Sequence, residues 1–161
     1  MTEKEYNQCV KEYADNVYRF ILKNIRNTED AKDIVQSSFE KMWMNREQVD
    51  TARSKSYLFT IAYHQMIDHI RKSKRITLKE EFNEGARVST GLVNNARKIL
   101  DMALSRLNET QRPLVMLKDY EGYSYEEISE ITGLSISQVK VYLHRARIQL
   151  KNYLVSPENI I

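Results

Sequence analysis

The sequence predicts an all-α protein: two small helical domains joined by a flexible linker, the second a helix-turn-helix domain. Three observations carry this expectation. Helix breakers are scarce, with 4 Gly and 2 Pro among 161 residues. Apolar residues recur at helical spacing nearly throughout. Capping signals mark helix starts, most clearly Ser124 three residues before Glu127 and Ser135 three residues before Gln138. A hydrophobic content of 42% is enough for packed cores and argues against wholesale disorder.

The first helix is expected from about Glu5 to Ile25, with Val10, Tyr13, Val17, Phe20 and Ile21 as its core face. Thr28 then reads as an N-cap. Glu29 and Asp30 follow in the first turn, where the positive end of the helix dipole favours acids. That second helix runs to about Arg46 and buries Ala31, Val35, Phe39, Met42 and Trp43. Asp33, Gln36, Ser37 and Glu40 stand at i, i+3, i+4 and i+7, so they share a polar, slightly acidic face. Residues 48–56 read as a loop. A third helix follows from about Ser56 to Arg75, and its apolar positions wrap too widely for a surface helix. From about Ile76 to Asn94 the helical pattern weakens, as expected of a linker. It returns with Ile99, Leu100, Ala103, Leu104 and Leu107. Asn108 and Gln111 then form a capping box, and Pro113 lies deeper than its ideal first-turn position. The expected division is 1–75, a linker 76–94, 95–155 and a tail 156–161.

The segment Tyr120–Lys151 reads as two capped helices around Gly133, which suits the left-handed residue that ends the first. Val139, Leu143, Ala146 and Leu150 form one apolar stripe on the second helix. The opposite face presents Ser137, Gln138, Val141, His144 and Arg145. Gln and Arg can contact adenine and guanine edges in the major groove, and Lys140, Arg147 and Lys151 stand where phosphates could be neutralised. No Asp or Glu occurs between Glu130 and Glu158. A DNA-reading helix and a solvated basic face on a structural hairpin both fit this segment alone.

The net charge is only +3, so the distribution matters more than the sum. A second acid-free run lies between Asp68 and Glu80 and carries Arg71, Lys72, Lys74, Arg75 and Lys79. Two basic segments suggest two contacts with a polyanion. The single cysteine, Cys9, permits no internal disulfide and reads as a small core residue in a reducing cytosol. No signal core or membrane-spanning stretch is visible, so a cytoplasmic protein without membrane insertion is expected. His64, His69 and His144 form no ligand set, and there is no phosphate-cradling glycine loop or nucleophile beside a base. No metal, cofactor or enzymatic activity is expected. A stand-alone helix-turn-helix regulator would account for the second half, but it leaves the polar stripe and the first basic run without a task.

Both halves together resemble bacterial sigma factors of the extracytoplasmic-function type. AKDIVQSSFEKMW resembles that family's core-binding helix, and SYLFTIAYHQMIDHIRK resembles its promoter-melting helix. LNETQRPLVMLKDYEGYSYEEISEITGLSISQVKVYLHRAR resembles its region 4. The resemblance implies three partners: core RNA polymerase, promoter DNA and an anti-sigma factor. It implies polymerase docking by Asp33, Gln36, Ser37 and Glu40, although the family often has an acid where Ser37 stands. It implies capture of the −10 element by Tyr63, His64, Arg71 and Lys72, beside Lys74 and Arg75 of the basic run. It implies reading of the −35 element by Ser137, Gln138, Lys140, Val141, Tyr142, His144, Arg145 and Arg147. The family commonly has a small residue and then Arg where this chain has Val141 and Tyr142, so a different −35 sequence is expected.

Overall fold

The computed structural model describes residues 1–79 and 95–155, and all regular structure among the described residues is helical. They divide into two compact units, one of residues 1–79 and 129–133 and one of residues 95–128 and 134–155. The expected linker at 80–94 and the tail at 156–161 lie outside the described residues.

In the first unit, α1 (Glu3–Ile25), α2 (Thr28–Met44) and α3 (Ser54–Lys79) all pack on one another. Helix α1 begins earlier than expected because Thr2 and Glu5 form a capping box. The Thr2 hydroxyl accepts from the Glu5 N–H at 3.1 Å, and the Glu5 carboxylate accepts from the Thr2 N–H at 2.7 Å. Asn27, not Thr28, caps α2, its side-chain oxygen accepting from the Asp30 N–H at 3.0 Å. Asn and Thr both cap well, and adjacency alone did not separate them. The expected loop after α2 contains two 3-10 turns, Arg46–Gln48 and Thr51–Arg53, with buried Val49 between them. Helix α3 runs to Lys79, so residues 76–79 are helical rather than linker.

The core of this unit is Val17, Phe20 and Ile21 of α1, Ala31 and Met42 of α2, and Leu58, Phe59, Ala62 and Met66 of α3. Phe20 and Phe59 meet edge to face at 5.4 Å, a favoured aromatic geometry. On α2, Ile34 and Ser38 are buried, while Val35 and Trp43 are only half-buried. The buried stripe is thus turned slightly from the one expected. Ser38 tolerates burial because its hydroxyl donates to the Ile34 carbonyl at 2.7 Å. Cys9 is buried, and burial pushes its thiol above the ordinary value against a weaker pull from Ser54.

The second unit contains α4 (Asn95–Arg106), α5 (Gln111–Val115), the first half of α6 (Tyr125–Thr132) and α7 (Ile136–Leu154), with α7 packed on α4 and α5. The expected box at Asn108 is present: its side chain accepts from the Gln111 N–H at 2.7 Å, and Gln111 returns the bond at 3.3 Å. Arg112 closes the end of α4. Its guanidinium donates to the carbonyls of Leu104, Ser105 and Leu107 at 2.9, 3.3 and 2.6 Å. Helix α5 widens into a π turn, Met116–Tyr120, which ends at Gly122 with a φ of 77°. Leu104, Leu107, Leu114, Leu117, Val139 and Leu143 form the core.

Candidate nucleic-acid interface

The helix-turn-helix is assembled by local chemistry. Ser124 accepts from the Glu127 N–H at 3.1 Å while Glu127 accepts from the Ser124 N–H at 2.8 Å. Gly133 adopts a φ of 82°, a conformation that costs a side-chain-bearing residue about 1–2 kcal/mol. Ser135 and Gln138 then repeat the reciprocal box at 3.1 and 2.9 Å. These bonds fix where α7 begins. Its helical period then turns Val139, Leu143 and Ala146 inward, where all three are buried.

The opposite face of α7 is open. Ser137, Gln138, Lys140, Val141, His144 and Arg145 are all exposed, and Tyr142 is half-buried. The side-chain oxygen of Gln138 is held by the Ser135 N–H, which leaves its amide N–H groups as the available donors. Val141 is 45% exposed and offers an apolar contact of the kind that suits a thymine methyl. No acidic residue lies on α7.

Arg147 differs from the other basic residues of this helix. Its guanidinium forms an ion pair with Asp119 at 2.8 Å. Burial works against the charge, but the bond and attraction from Asp119, with a smaller contribution from Tyr125, hold the guanidinium above its ordinary value. The structure therefore gives Arg147 an internal partner that sequence spacing did not reveal. Two residues that sequence reasoning passed over, Lys118 and Tyr125, lie close by. The Lys118 ammonium sits 4.7 Å from the centre of the Tyr125 ring, and the Lys140 ammonium sits 5.4 Å from the same ring. No helical period links Lys118 to α7, because a π turn and a glycine corner intervene.

In the first unit, Asp33, Gln36 and Glu40 are exposed along α2 and Ser37 is half-buried. Gln36 donates to Glu40 at 3.3 Å, so the stripe is one connected polar surface. On α3, His64, Arg71, Lys72, Lys74 and Arg75 are exposed. Tyr63 is not: it is 7% exposed, and burial pushes its hydroxyl above the ordinary value against a smaller opposing effect of Arg71. The reading of Tyr63 as a DNA contact is corrected here, since its ring belongs to the core. Tyr63→Ala is expected to destabilise the first unit by about 3–5 kcal/mol, as other large-to-small core changes do. Chemical denaturation checks this, and a loss below 1 kcal/mol would return the ring to the surface.

The described residues contain no His, Cys, Asp and Glu group suited to a metal ion, and no helix among them is long and apolar enough to cross a membrane. Residues 9–76 match the family model for Sigma-70 region 2, and residues 97–150 match that for Sigma-70, region 4. The chain is 32% identical over 148 residues to the RNA polymerase sigma factor SigV of Bacillus subtilis, covering 88% of this chain and 89% of that one. It is 29% identical over 157 residues to the ECF RNA polymerase sigma factor SigE of Mycolicibacterium smegmatis, covering 92% of this chain and 61% of that one. Its fold is similar to that of the sigma factor RpoE from Bartonella quintana, solved in complex with the anti-sigma factor NepR. The TM-score is 0.79 at 24% identity, over 96% of this chain and 99% of that one.

Proposed function

This chain belongs to the sigma-70 family, as an RNA polymerase sigma factor of the extracytoplasmic-function type, and from that premise we propose how its residues divide the work. It is a promoter-directing factor whose partners are core RNA polymerase and promoter DNA. Residues 1–75, with α3 continuing to Lys79, carry polymerase docking and capture of the −10 element. Residues 95–155 carry reading of the −35 element. The exposed stripe of Asp33, Gln36, Ser37 and Glu40 docks on the polymerase. His64, Arg71, Lys72, Lys74 and Arg75 supply the −10 contacts, where the DNA is opened.

The observation that carries the DNA assignment is α7: a capped helix set by a left-handed turn, free of acids, with Ser137, Gln138, Val141, His144 and Arg145 facing outward. A helix of this kind enters the major groove with its N-terminal residues at the base edges. The half-buried Tyr142 lies beside that reading face. The factor needs no chemistry of its own, because the polymerase makes the bonds. It acts in the cytoplasm, and an anti-sigma partner of the kind seen on the Bartonella quintana protein regulates it.

Run-off transcription with purified core polymerase on a genomic fragment library tests this reading. Initiation at defined sites, only when the chain is present, is the expected result. Tight sequence-specific binding to a two-fold site without polymerase would instead make the chain a stand-alone regulator. Within the same assay, Arg145→Ala is expected to reduce discrimination between promoters by about 1–3 kcal/mol, the worth of a bidentate base contact. Lys151→Ala should weaken all DNA sequences alike. Equal losses on every sequence for both variants would refute the division between reader and phosphate contact.

A further inference from the structure

We propose that His69 is a positioning residue: its ion pair with Asp30 pins α3 to the start of α2 and so aims the exposed basic end of α3 at DNA. The proposal rests on the reading of His64, Arg71, Lys72, Lys74 and Arg75 as −10 contacts, and it names what holds that end in place. His69 Nε2 lies 3.2 Å from a carboxylate oxygen of Asp30. The Ser73 hydroxyl, one turn on, lies 3.5 Å from the same nitrogen. Four residues before His69, Gln65 donates to the Ser38 hydroxyl of α2 at 3.4 Å, a longer and weaker contact. Asp30 thus faces His69, while Ser38, later on α2, faces Gln65, earlier on α3, so the two helices cross in opposite directions.

The pair stands where the apolar core has ended. Met66 is the last buried residue among the described side chains of α3, Ile70 is half-buried, and residues 71–76 are all exposed. Hydrophobic contact therefore grips α3 most firmly up to one turn before His69, and it is non-directional even there. Helix α3 ends at Lys79, ten residues past His69, a helical length of about 15 Å. A tilt of about 10° at His69 displaces that far end by about 2.6 Å, enough to lose a phosphate contact. At 100° per residue, His64, Arg71 and Arg75 share one face, centred about 120° round the helix from Gln65 and His69. Fixing Gln65 and His69 against α2 turns that basic face outward.

The charges around the pair are of both signs. Glu29 and Asp33 flank Asp30 on α2, and Asp68, Arg71 and Lys72 flank His69 on α3. Helix α1, packed on both, ends with the cations Lys23 and Arg26. Among all of these, Asp30 is the group that bonds the imidazole. An imidazole changes its charge between about pH 5 and pH 8, where a carboxylate stays ionised. At the acidic end of that range the pair is an imidazolium and a carboxylate, and α3 is held. As pH rises the imidazole loses its charge, a neutral N–H donor is the most that remains, and the hold weakens. With the two side chains 30% and 40% exposed, solvent screens the pair, so its effect is a few-fold one.

The test uses holoenzyme made with the full chain, on a promoter found by run-off transcription, and reads −10 opening by permanganate oxidation of unpaired thymines. At about pH 6, His69→Gln and Asp30→Asn should each reduce opening about two- to fivefold, the worth of a half-exposed pair. His69→Arg and His69→Lys keep a cation across this range. At least one of them should open as the wild type does at about pH 6 and hold that level at about pH 8, where the wild type falls behind it by the same factor. His64 also carries an imidazole on α3, so the comparison is made between chains that all retain it. Holoenzyme yield by gel filtration should stay the same, and a thermal midpoint above the assay temperature in every variant excludes misfolding as the cause. A wild-type pH profile in the cationic variants, recovery in neither of them, wild-type opening in Asp30→Asn, or a yield that falls with opening would overturn the role of His69. If the chain initiates nowhere, the reading of α3 as a DNA-capturing helix falls and this role with it. Normal initiation with one pH profile for all variants removes only the pin.

Discussion

Asp33→Arg is expected to lower the affinity for core polymerase at least tenfold, a loss of about 1.4 kcal/mol or more, while the helical fold stays intact. Asp33 is exposed on α2 and forms no ion pair among the described residues, so the fold does not depend on its charge. It stands in line with Gln36, Ser37 and Glu40 on the face assigned to polymerase docking. Reversing its sign there removes any attraction to a basic partner surface and adds repulsion, and like charges across an interface cost several kcal/mol. Analytical gel filtration with core polymerase reads the holoenzyme yield, and a melt of the free chain reads the fold. An unchanged yield would remove Asp33 from the interface. Glu40→Arg gives a second reading on the same stripe, since its carboxylate is already linked to Gln36.

Arg112→Ala should destabilise the second unit by about 2–3 kcal/mol, in the range of hydrogen bonds made by charged groups. The guanidinium closes α4 by donating to three backbone carbonyls, and alanine leaves those acceptors without it. Arg112→Lys should recover only part of the loss. An ammonium keeps the charge but cannot reproduce the planar fork that meets carbonyls on both sides. Urea denaturation followed by circular dichroism separates the cases. Equal stability of the lysine variant and the wild type would mean that charge alone matters, and a loss below about 0.5 kcal/mol in the alanine variant would deny the capping role. Since α7 packs on α4 and α5, the alanine variant should also weaken DNA binding on all sequences through loss of the folded unit.

Much of the molecule was legible because helical periodicity and capping are local. Ser124 with Glu127, Asn108 with Gln111, and Ser135 with Gln138 all form the boxes their spacing implies. The outward face of α7 follows from 100° per residue once its start is fixed. Errors arose where two local choices were nearly equal. Asn27 and Thr28 are both good caps, and the chain uses Asn27. The Thr2 and Glu5 box was present in the sequence as T-x-x-E and was passed over, which placed the start of α1 too late. Tyr63 was harder, since a ring on a helix apolar over a wide arc could face either a core or a base. Packing among three helices decided it, and no period of one helix holds that information.

The sequence by itself determined the helices, the outward face of α7, the polar stripe of α2 and the family of the chain, because each depends on contacts within about two turns or on a linear motif. Only the tertiary structure decided which charges remain available. Arg145 and Arg147 are equivalent by composition and lie two residues apart, yet one faces solvent and the other is held by Asp119, 28 residues away. Lys118 reaches the same ring as Lys140 only because the turn after α5 brings it there. The reason is physical. Hydrogen bonding along a helix is fixed by neighbours in the chain, whereas ion pairs and cation–aromatic contacts depend on distance in space, and only the packed fold sets that distance.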